Sequence, residues 1–91
     1  MKSYLITYDL IKPENSPDYV RLIQRIKSLG LWAHPQLSVW LVKTNFKSDQ
    51  IMNILTPVVD SNDKIIIIGV DNEWTTYNIS TEVTNWMKQG L

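Results

Sequence analysis

The segment "KSYLITYDLIKPENSP" (residues 2–17) sets the first half of the fold, because it joins a strand pattern to a helix start. Lys2–Tyr8 is dense in Tyr, Leu, Ile and Thr, which favour a β-strand. Two prolines with Asn and Ser predict a loop over residues 12–17, and its Ser-Pro end is a helix start signal. A carboxylate, Asp9, stands where the strand is predicted to stop.

Apolar periodicity predicts three helices after this strand. In residues 17–29 the apolar side chains recur at three- and four-residue steps, and Gly30 follows as a predicted C-terminal cap. Ser48 is predicted to cap a second helix, whose apolar positions extend over residues 51–58. A third helix is predicted over residues 79–89.

Three further strands complete the pattern. A short strand over 31–34, a turn at Pro35 and a longer strand over 37–44 form a hairpin. Residues 64–70, "KIIIIGV", form a strand that is apolar on both faces, and residues 71–78 are irregular or an added edge strand. The order βαββαβ predicts a ferredoxin-like α+β domain over the whole chain, with an antiparallel sheet, two helices on one face and a C-terminal helix.

Length and composition limit the classes of function. Ninety-one residues make one domain, and nine basic residues cancel nine acidic ones, so a chain-wide positive surface for nucleic acid is absent. The chain has no cysteine, which excludes disulfides and thiolate metal sites. We expect a cytoplasmic protein that does not contact a membrane, because the N-terminus lacks a secretory pattern and no apolar run is long enough to span a bilayer.

The predicted order of elements brings distant residues to Asp9. The first strand is expected between strands 3 and 4 and antiparallel to both. Its end then meets Ser38 on one side and the turn over residues 60–63 on the other. Strands 3 and 4 are apolar on both faces, so the second face needs a cover. The sequence predicts that the C-terminal helix or a second copy covers it, and we expect a homodimer.

The chain resembles the small CRISPR-associated nuclease family that partners the integrase in spacer acquisition, a fold also found in VapD-type toxin ribonucleases. The resemblance covers about residues 2–70. Within that superfamily, the chain looks like a member of a stand-alone branch. The matching positions are Tyr8, Asp9, Gln36, Ser38, Val39, Trp40 and Asp63.

The resemblance implies a homodimeric nuclease-like protein that binds or cleaves nucleic acid, as a metal-dependent endonuclease of the ribonuclease type. It implies that two copies of Asp9 face each other and hold one Mg²⁺ or Mn²⁺, which stabilises charge on the phosphoryl oxygens. Asp9 and Ser38 are thus the candidate catalytic residues, and Asp9 is the candidate metal ligand. The alternative for Asp9 is that it stops the strand and receives backbone N–H bonds.

Four other residues each have a functional interpretation and a structural one. Asp63 is a second metal ligand or caps its own turn, and the turn interpretation is favoured because Asp60 has the same chemistry. His34 is a general base or a metal ligand or, more often for a lone histidine beside a turn proline, a packing or hydrogen-bonding residue. Arg21 and Arg25 share a helix face and are candidate phosphate contacts, against a solvated helix face.

Two other functions remain open from the sequence. One is a catalytically silent module for protein interaction or assembly, in a toxin–antitoxin or phage–host context, which uses the apolar sheet face and the tryptophans. The other is a nucleotide binder in the cleft of the dimer. The four tryptophans fit either one, since they can stack bases or anchor a core or an interface.

Overall fold

A computed structural model describes residues 1–13 and 15–91 of the protein. The predicted loop over 12–17 includes Glu14, which lies outside the described residues. The described elements are β1 (Lys2–Asp9), α1 (Pro17–Lys27), β2 (Leu31–Gln36), β3 (Val39–Thr44), α2 (Ser48–Leu55), a 3-10 turn (Thr56–Val58), β4 (Lys64–Val70) and α3 (Thr81–Lys88). The predicted α+β class is confirmed.

The four strands form one antiparallel sheet in the order β2-β3-β1-β4. Strand β1 lies inside the sheet, where Thr7 pairs with Val39 of β3 and Asp9 pairs with Lys64 of β4. The predicted position of the first strand between strands 3 and 4, antiparallel to both, is confirmed. Positions separated by more than fifty residues therefore meet at the end of β1.

The first face of the sheet packs on α1 and α2. Alternate side chains of a strand point to the same face, so Tyr4, Ile6 and Tyr8 of β1 all enter this core. The helices, the remaining strands and the turn after α1 add Tyr19, Leu22, Ile26, Leu29, Trp40, Val42, Ile51 and Leu55. The predicted pair of helices on one face is confirmed.

The second face is covered only in part. Met87 of α3 is buried against Ala33 of β2 and Leu41 of β3, which confirms that the C-terminal helix covers this face. The cover reaches Val70 at the end of β4 but leaves the middle of that strand open, where Ile66 is 54% exposed and Ile68 is 52% exposed. We call Thr7, Ile66 and Ile68 the open strip, since Thr7 pairs with Ile66 and all three side chains belong to the second face.

Two predicted caps are wrong. Helix α1 ends at Lys27 with Ser28 as its C-cap, so Gly30 does not cap it. Gly30 instead lies against β3, where an added Cβ would clash with the carbonyl oxygen of Lys43, so close backbone approach explains this glycine. The N-cap of α2 is Lys47, and Ser48 is the first helical residue.

The hairpin and the tail also differ from the prediction in detail. Strand β2 continues through Pro35 to Gln36, and the register with β3 shifts between Ala33 and Gln36. Pro35 fits here because β2 is an edge strand of the described sheet. Residues 71–80 contain no strand, which agrees with the irregular alternative. Among the described residues, no helix has the length and apolarity to span a membrane.

Candidate functional site

Asp9 lies at the end of β1 on the second face of the sheet. Its side chain is exposed, and its backbone pairs with Lys64. The alternation along β1 puts Asp9 on the same face as Thr7, so it continues the open strip at one end. Within residues 1–13 and 15–91, no hydrogen bond or ion pair engages its carboxylate. The carboxylate is therefore accessible to a ligand from solvent.

Asp63 directly precedes Lys64, the partner of Asp9 in the sheet, but its carboxylate is engaged by backbone N–H groups. One carboxylate oxygen accepts the N–H of Ile11 at 2.9 Å, and the other accepts the N–H of Asp60 at 2.8 Å. These bonds tie the loop after β1 to the turn before β4. They agree with the turn interpretation of Asp63 rather than with a second metal ligand.

An ionic cluster fixes the start of α1 beside the same turn. The Asp18 carboxylate is mostly buried and pairs with Lys12 and Arg21, and Lys12 reaches Asp60 at 3.0 Å. Hydrogen bonding to the Lys12 ammonium lowers the pKa of Asp18 below its ordinary value. The bond to Asp18, with a second one to Asp60, raises the pKa of Lys12. The cluster thus holds the ends of β1 and α1 and the turn before β4 together.

Ser38 lies in the turn between β2 and β3, not in strand 3 as predicted, because β3 begins at Val39. Its carbonyl accepts the N–H of Tyr8 at 3.4 Å, so Ser38 is next to the end of β1 as the strand order requires. No hydrogen bond joins the Ser38 hydroxyl to Asp9 in the described part of the chain.

The two arginines lie away from Asp9. Arg21 pairs with Asp18, and the Arg25 guanidinium donates to the carbonyl of Ile54 at 2.9 Å. Both belong to α1, which packs on the first face, whereas Asp9 is on the second face. One protomer therefore does not join these arginines and Asp9 in one site. The described residues also contain no group of three or more His, Asp or Glu side chains arranged to hold a metal ion.

An aromatic cluster that the sequence pattern did not reveal lies where β2 meets α1. The His34 ring stacks on Trp40 with centroids 3.8 Å apart, and the Trp40 N–H donates to the Tyr8 hydroxyl at 3.0 Å. Trp32 meets Trp40 edge to face at 5.3 Å, and the Lys27 ammonium lies 4.8 Å from the Trp32 centroid. In the sequence, this cluster was indicated only by the two-residue spacing of Trp32 and His34, which puts both side chains on the same face of a strand.

The contacts of His34 fix its role in this cluster. Its Nε2 lies 3.0 Å from the carbonyl oxygen of Leu37, which can only accept, so Nε2 carries the proton. The hydrogen bond closes the turn between β2 and β3, and the stacking holds the ring on Trp40. This arrangement agrees with the packing interpretation of His34.

A groove of about 600 Å³ runs between β2 and α3. Trp32, Ala33 and His34 form its strand side. Its helix side consists of Ser80, Glu82, Val83, Asn85, Trp86 and Gln89. The volume is within the range of ordinary small-molecule sites. The groove is on the opposite edge of the sheet from β4 and thus separate from Asp9.

Comparison with known proteins shows a similar fold but no known family. No model of a known protein family matches the sequence. The structure is similar to that of a hypothetical protein, TT1823, from Thermus thermophilus, with 21% identity and a TM-score of 0.59. The match covers 84% of this chain and 92% of the Thermus chain, so the likeness extends over nearly the whole domain.

Proposed function

We propose that the protein is a cytoplasmic homodimer of the ferredoxin-like fold that binds nucleic acid and cleaves phosphodiester bonds with a divalent cation held by two Asp9 carboxylates. The element order βαββαβ and the central place of β1 support this classification of the fold. The observation that carries the proposal is the position of Asp9, an exposed carboxylate at the end of an exposed apolar strip.

The open strip supports the association of two copies. Two isoleucines that are each about half exposed on one strand form an apolar surface that burial would stabilise. The formal net charge of zero means that two copies do not repel each other through their total charge. A two-fold axis through the strip would use the same patch on both copies, the commonest arrangement of a dimer.

The residues present fit a hard divalent cation in such a dimer. Mg²⁺ binds one or two carboxylates and keeps several waters, and the two Asp9 side chains would supply that set. When bound, the cation would neutralise charge on the phosphoryl oxygens of the substrate. Ser38 is adjacent to the end of β1, and its hydroxyl is a candidate donor to a phosphate oxygen. Nucleic-acid binding by Arg21 and Arg25 remains a prediction. Both arginines lie on the other side of the sheet from Asp9, so they would contact a different part of the nucleic acid.

The geometry of the dimer distinguishes this proposal from an assembly module without catalysis. If two β4 strands paired edge to edge, three strand spacings, at least about 14 Å, would separate the two β1 strands. That distance is too large for two aspartates to share one cation. Only face-to-face packing on the open strip can bring the two Asp9 carboxylates together.

The silent module is the second candidate, and a specific observation favours it. Strand β4 pairs only with β1 among the described residues, and that pairing runs without interruption from Ser3 to Asp9. Its other edge is a template for another strand. In this alternative the protein assembles through the β4 edge, and Asp9 only ends a strand.

A cysteine crosslink tests the two geometries. The chain has no cysteine, so Asp9→Cys introduces one thiol per protomer. We expect oxidation to give a covalent dimer, because a disulfide needs Cβ atoms about 3.8 Å apart and only face-to-face packing allows this. Asp71→Cys, also exposed but at the opposite end of β4, is the matched control that should stay monomeric on a denaturing gel.

Cleavage is tested separately. We expect Mg²⁺-dependent cleavage of single-stranded RNA by the native protein, and its loss in Asp9→Asn with an unchanged melting temperature. Asp71→Asn is the control for the loss of one surface charge. Absence of cleavage and of the Asp9→Cys crosslink, in a protein that is still dimeric, would favour the silent module.

A further inference from the structure

We propose that Lys64 is the phosphate-binding residue of the Asp9 site and that it holds the phosphate backbone of a nucleic acid without selecting a base. This role of Lys64 rests on the proposed function, since it adds a second residue to the site that the two Asp9 carboxylates form in the dimer. It also names the group that attracts an anionic substrate to a chain whose formal net charge is zero.

The register of the sheet places Lys64 directly opposite Asp9, in the antiparallel pair of β4 and β1. Residues opposite each other in such a pair point to the same face of the sheet, with Cβ atoms about 4.5–5.5 Å apart. Lys64 therefore belongs to the second face and ends the open strip on β4, as Asp9 ends it on β1. The next side chains along this face, Thr7 and Val39, are uncharged. A phosphate that approaches Asp9 therefore also meets Lys64.

The Lys64 ammonium is available to a ligand. Its residue is exposed, and no hydrogen bond or ion pair engages the side chain within residues 1–13 and 15–91, not even one with Asp9. Asp63, its neighbour along the chain, accepts hydrogen bonds from the backbone N–H groups of Ile11 and Asp60. The nearby carboxylates thus leave the ammonium free to bind a phosphate oxygen.

The other basic residues are engaged or lie elsewhere. Five of them contact a carboxylate, a carbonyl oxygen or an aromatic ring, namely Lys12, Arg21, Arg25, Lys27 and Lys43. The remaining three lie toward the opposite end of β1, which Lys2 begins, and Lys47 follows β3 at that same end. Lys88 is three residues before Leu91, whose N–H donates to Asn72 at 2.7 Å just beyond β4. Among the described residues, Lys64 is therefore the unengaged cation at the Asp9 end of the sheet.

The charges of the dimer explain why the site needs a lysine. Two Asp9 carboxylates and one divalent cation cancel, so together they carry no net positive charge for a phosphate. The two Lys64 ammonium groups make the sum positive, and a local positive charge raises the concentration of an anionic substrate. Without the cation, the same two lysines offset the repulsion between the carboxylates. Lys64 therefore supplies the attraction that the neutral chain as a whole lacks.

The test measures binding apart from cleavage, in Asp9→Asn without added metal. This variant is titrated with a ten-nucleotide oligouridylate and with an oligoadenylate, and backbone N–H shifts in NMR spectra give the dissociation constants. Two phosphate contacts per dimer correspond to a slope of about −1.4 for log K against log salt, or about 25-fold in affinity at 0.1 M salt. We expect Lys64→Gln, added to Asp9→Asn, to remove that slope and to weaken both probes by the same factor, because a phosphate contact reads no base.

Two further variants serve as controls in the same background. Lys64→Arg should keep the affinity, because a guanidinium also binds phosphate. Lys88→Gln removes another exposed lysine, at the far end of the sheet, and should leave the affinity unchanged. Full affinity in Lys64→Gln, an equal loss in Lys88→Gln, or a loss with only one of the two oligonucleotides would each overturn the phosphate site.

The outcome is separable from that of the proposed function. A change in slope of about 0.7 corresponds to one phosphate contact, so it would keep the role of Lys64 and show that two Asp9 residues do not share a site. Cleavage by the native protein in Mg²⁺ that Lys64→Gln leaves with an unchanged KM would keep the proposed function and exclude Lys64. We expect cleavage to persist in Lys64→Gln with a raised KM, because the contact binds substrate and transition state alike.

Discussion

The two edges of the sheet differ in how they meet solvent. The β2 edge contains Pro35 and a register shift next to it, and α3 packs beside it. The β4 edge has neither a proline nor a shift over seven residues, and it carries two half-exposed isoleucines. Proline and bulges hinder the addition of another strand, so β2 can border the groove beside α3 without extending the sheet. Strand β4 has no such protection, so its edge can accept another strand, while its open strip can pack face to face on a second copy.

The largest effect should come from removing the support beneath the β2 edge. Trp40 is 2% exposed and contacts both Trp32 and His34. We expect Trp40→Ala to lower the free energy of unfolding by about 3–5 kcal/mol, measured by urea denaturation, because it leaves a cavity in the core. Phe46→Ala, at a surface position, is the control. A loss below about 1 kcal/mol would mean that the cluster does not hold this edge.

The next effect concerns the β4 edge. We expect the double variant Ile66→Lys with Ile68→Lys to raise the dissociation constant of the dimer at least about 100-fold, since burial of each isoleucine contributes about 1.5–3 kcal/mol. Analytical ultracentrifugation measures the constant. Ile11→Lys, at a residue that is 63% exposed and outside the open strip, should leave it unchanged. Equal effects of both changes would exclude the open strip as the interface.

A smaller effect is expected where β2 begins. Gly30→Ala would press a methyl group against the carbonyl of Lys43, and the backbone would have to shift. We expect a loss of about 1–3 kcal/mol in the free energy of unfolding, as for other overpacked sites. Gly69→Ala is the matched control, because no atom lies within 4 Å of an added Cβ there. Thermal denaturation of both variants gives the answer, and a neutral Gly30→Ala would show that β2 is not tightly held.

The smallest effect should appear in acid. Since the folded protein lowers the pKa of Asp18, its ion pairs contribute stability above the ordinary aspartate pKa of about 4, and this is lost as the pH falls through the lower folded value. We expect the melting temperature to drop below about pH 4 and Asp18→Asn to flatten that drop. Asp49→Asn, at an exposed position of α2, should follow the native curve.

Local patterns were sufficient for the elements and their order, but not for the exact contacts. The three helices and four strands follow from apolar periodicity, and the central place of β1 follows from their order. Gly30 looked like a helix cap, because sequence does not show that Lys43 approaches it from another strand. The engagement of Arg21 and Arg25 also depends on side-chain contacts that only the folded chain defines.

The sequence predicted which residues lie near Asp9 but not the contacts that their side chains make. Strand order predicted that Asp9 would meet Ser38 and the turn before β4, and the backbone contacts agree. The sequence did not show which carboxylate is engaged, although Asp63 binds two backbone N–H groups and Asp9 binds none in the described chain. The groove at β2 was not foreseen, because it needs the packing of α3 against an edge strand fifty residues earlier.

The central position of β1 also has a consequence for synthesis of the chain. Strand β1 leaves the ribosome before the other described strands, but its partner on one side is β4, so Ser3 cannot pair with Val70 until β4 has been made. Until then one edge of β1 is unpaired, and the run of four isoleucines in β4 has to find a partner that is far away along the chain. Such distant strand pairing is slow compared with local contacts, so the nascent chain passes through a period with an exposed apolar strand.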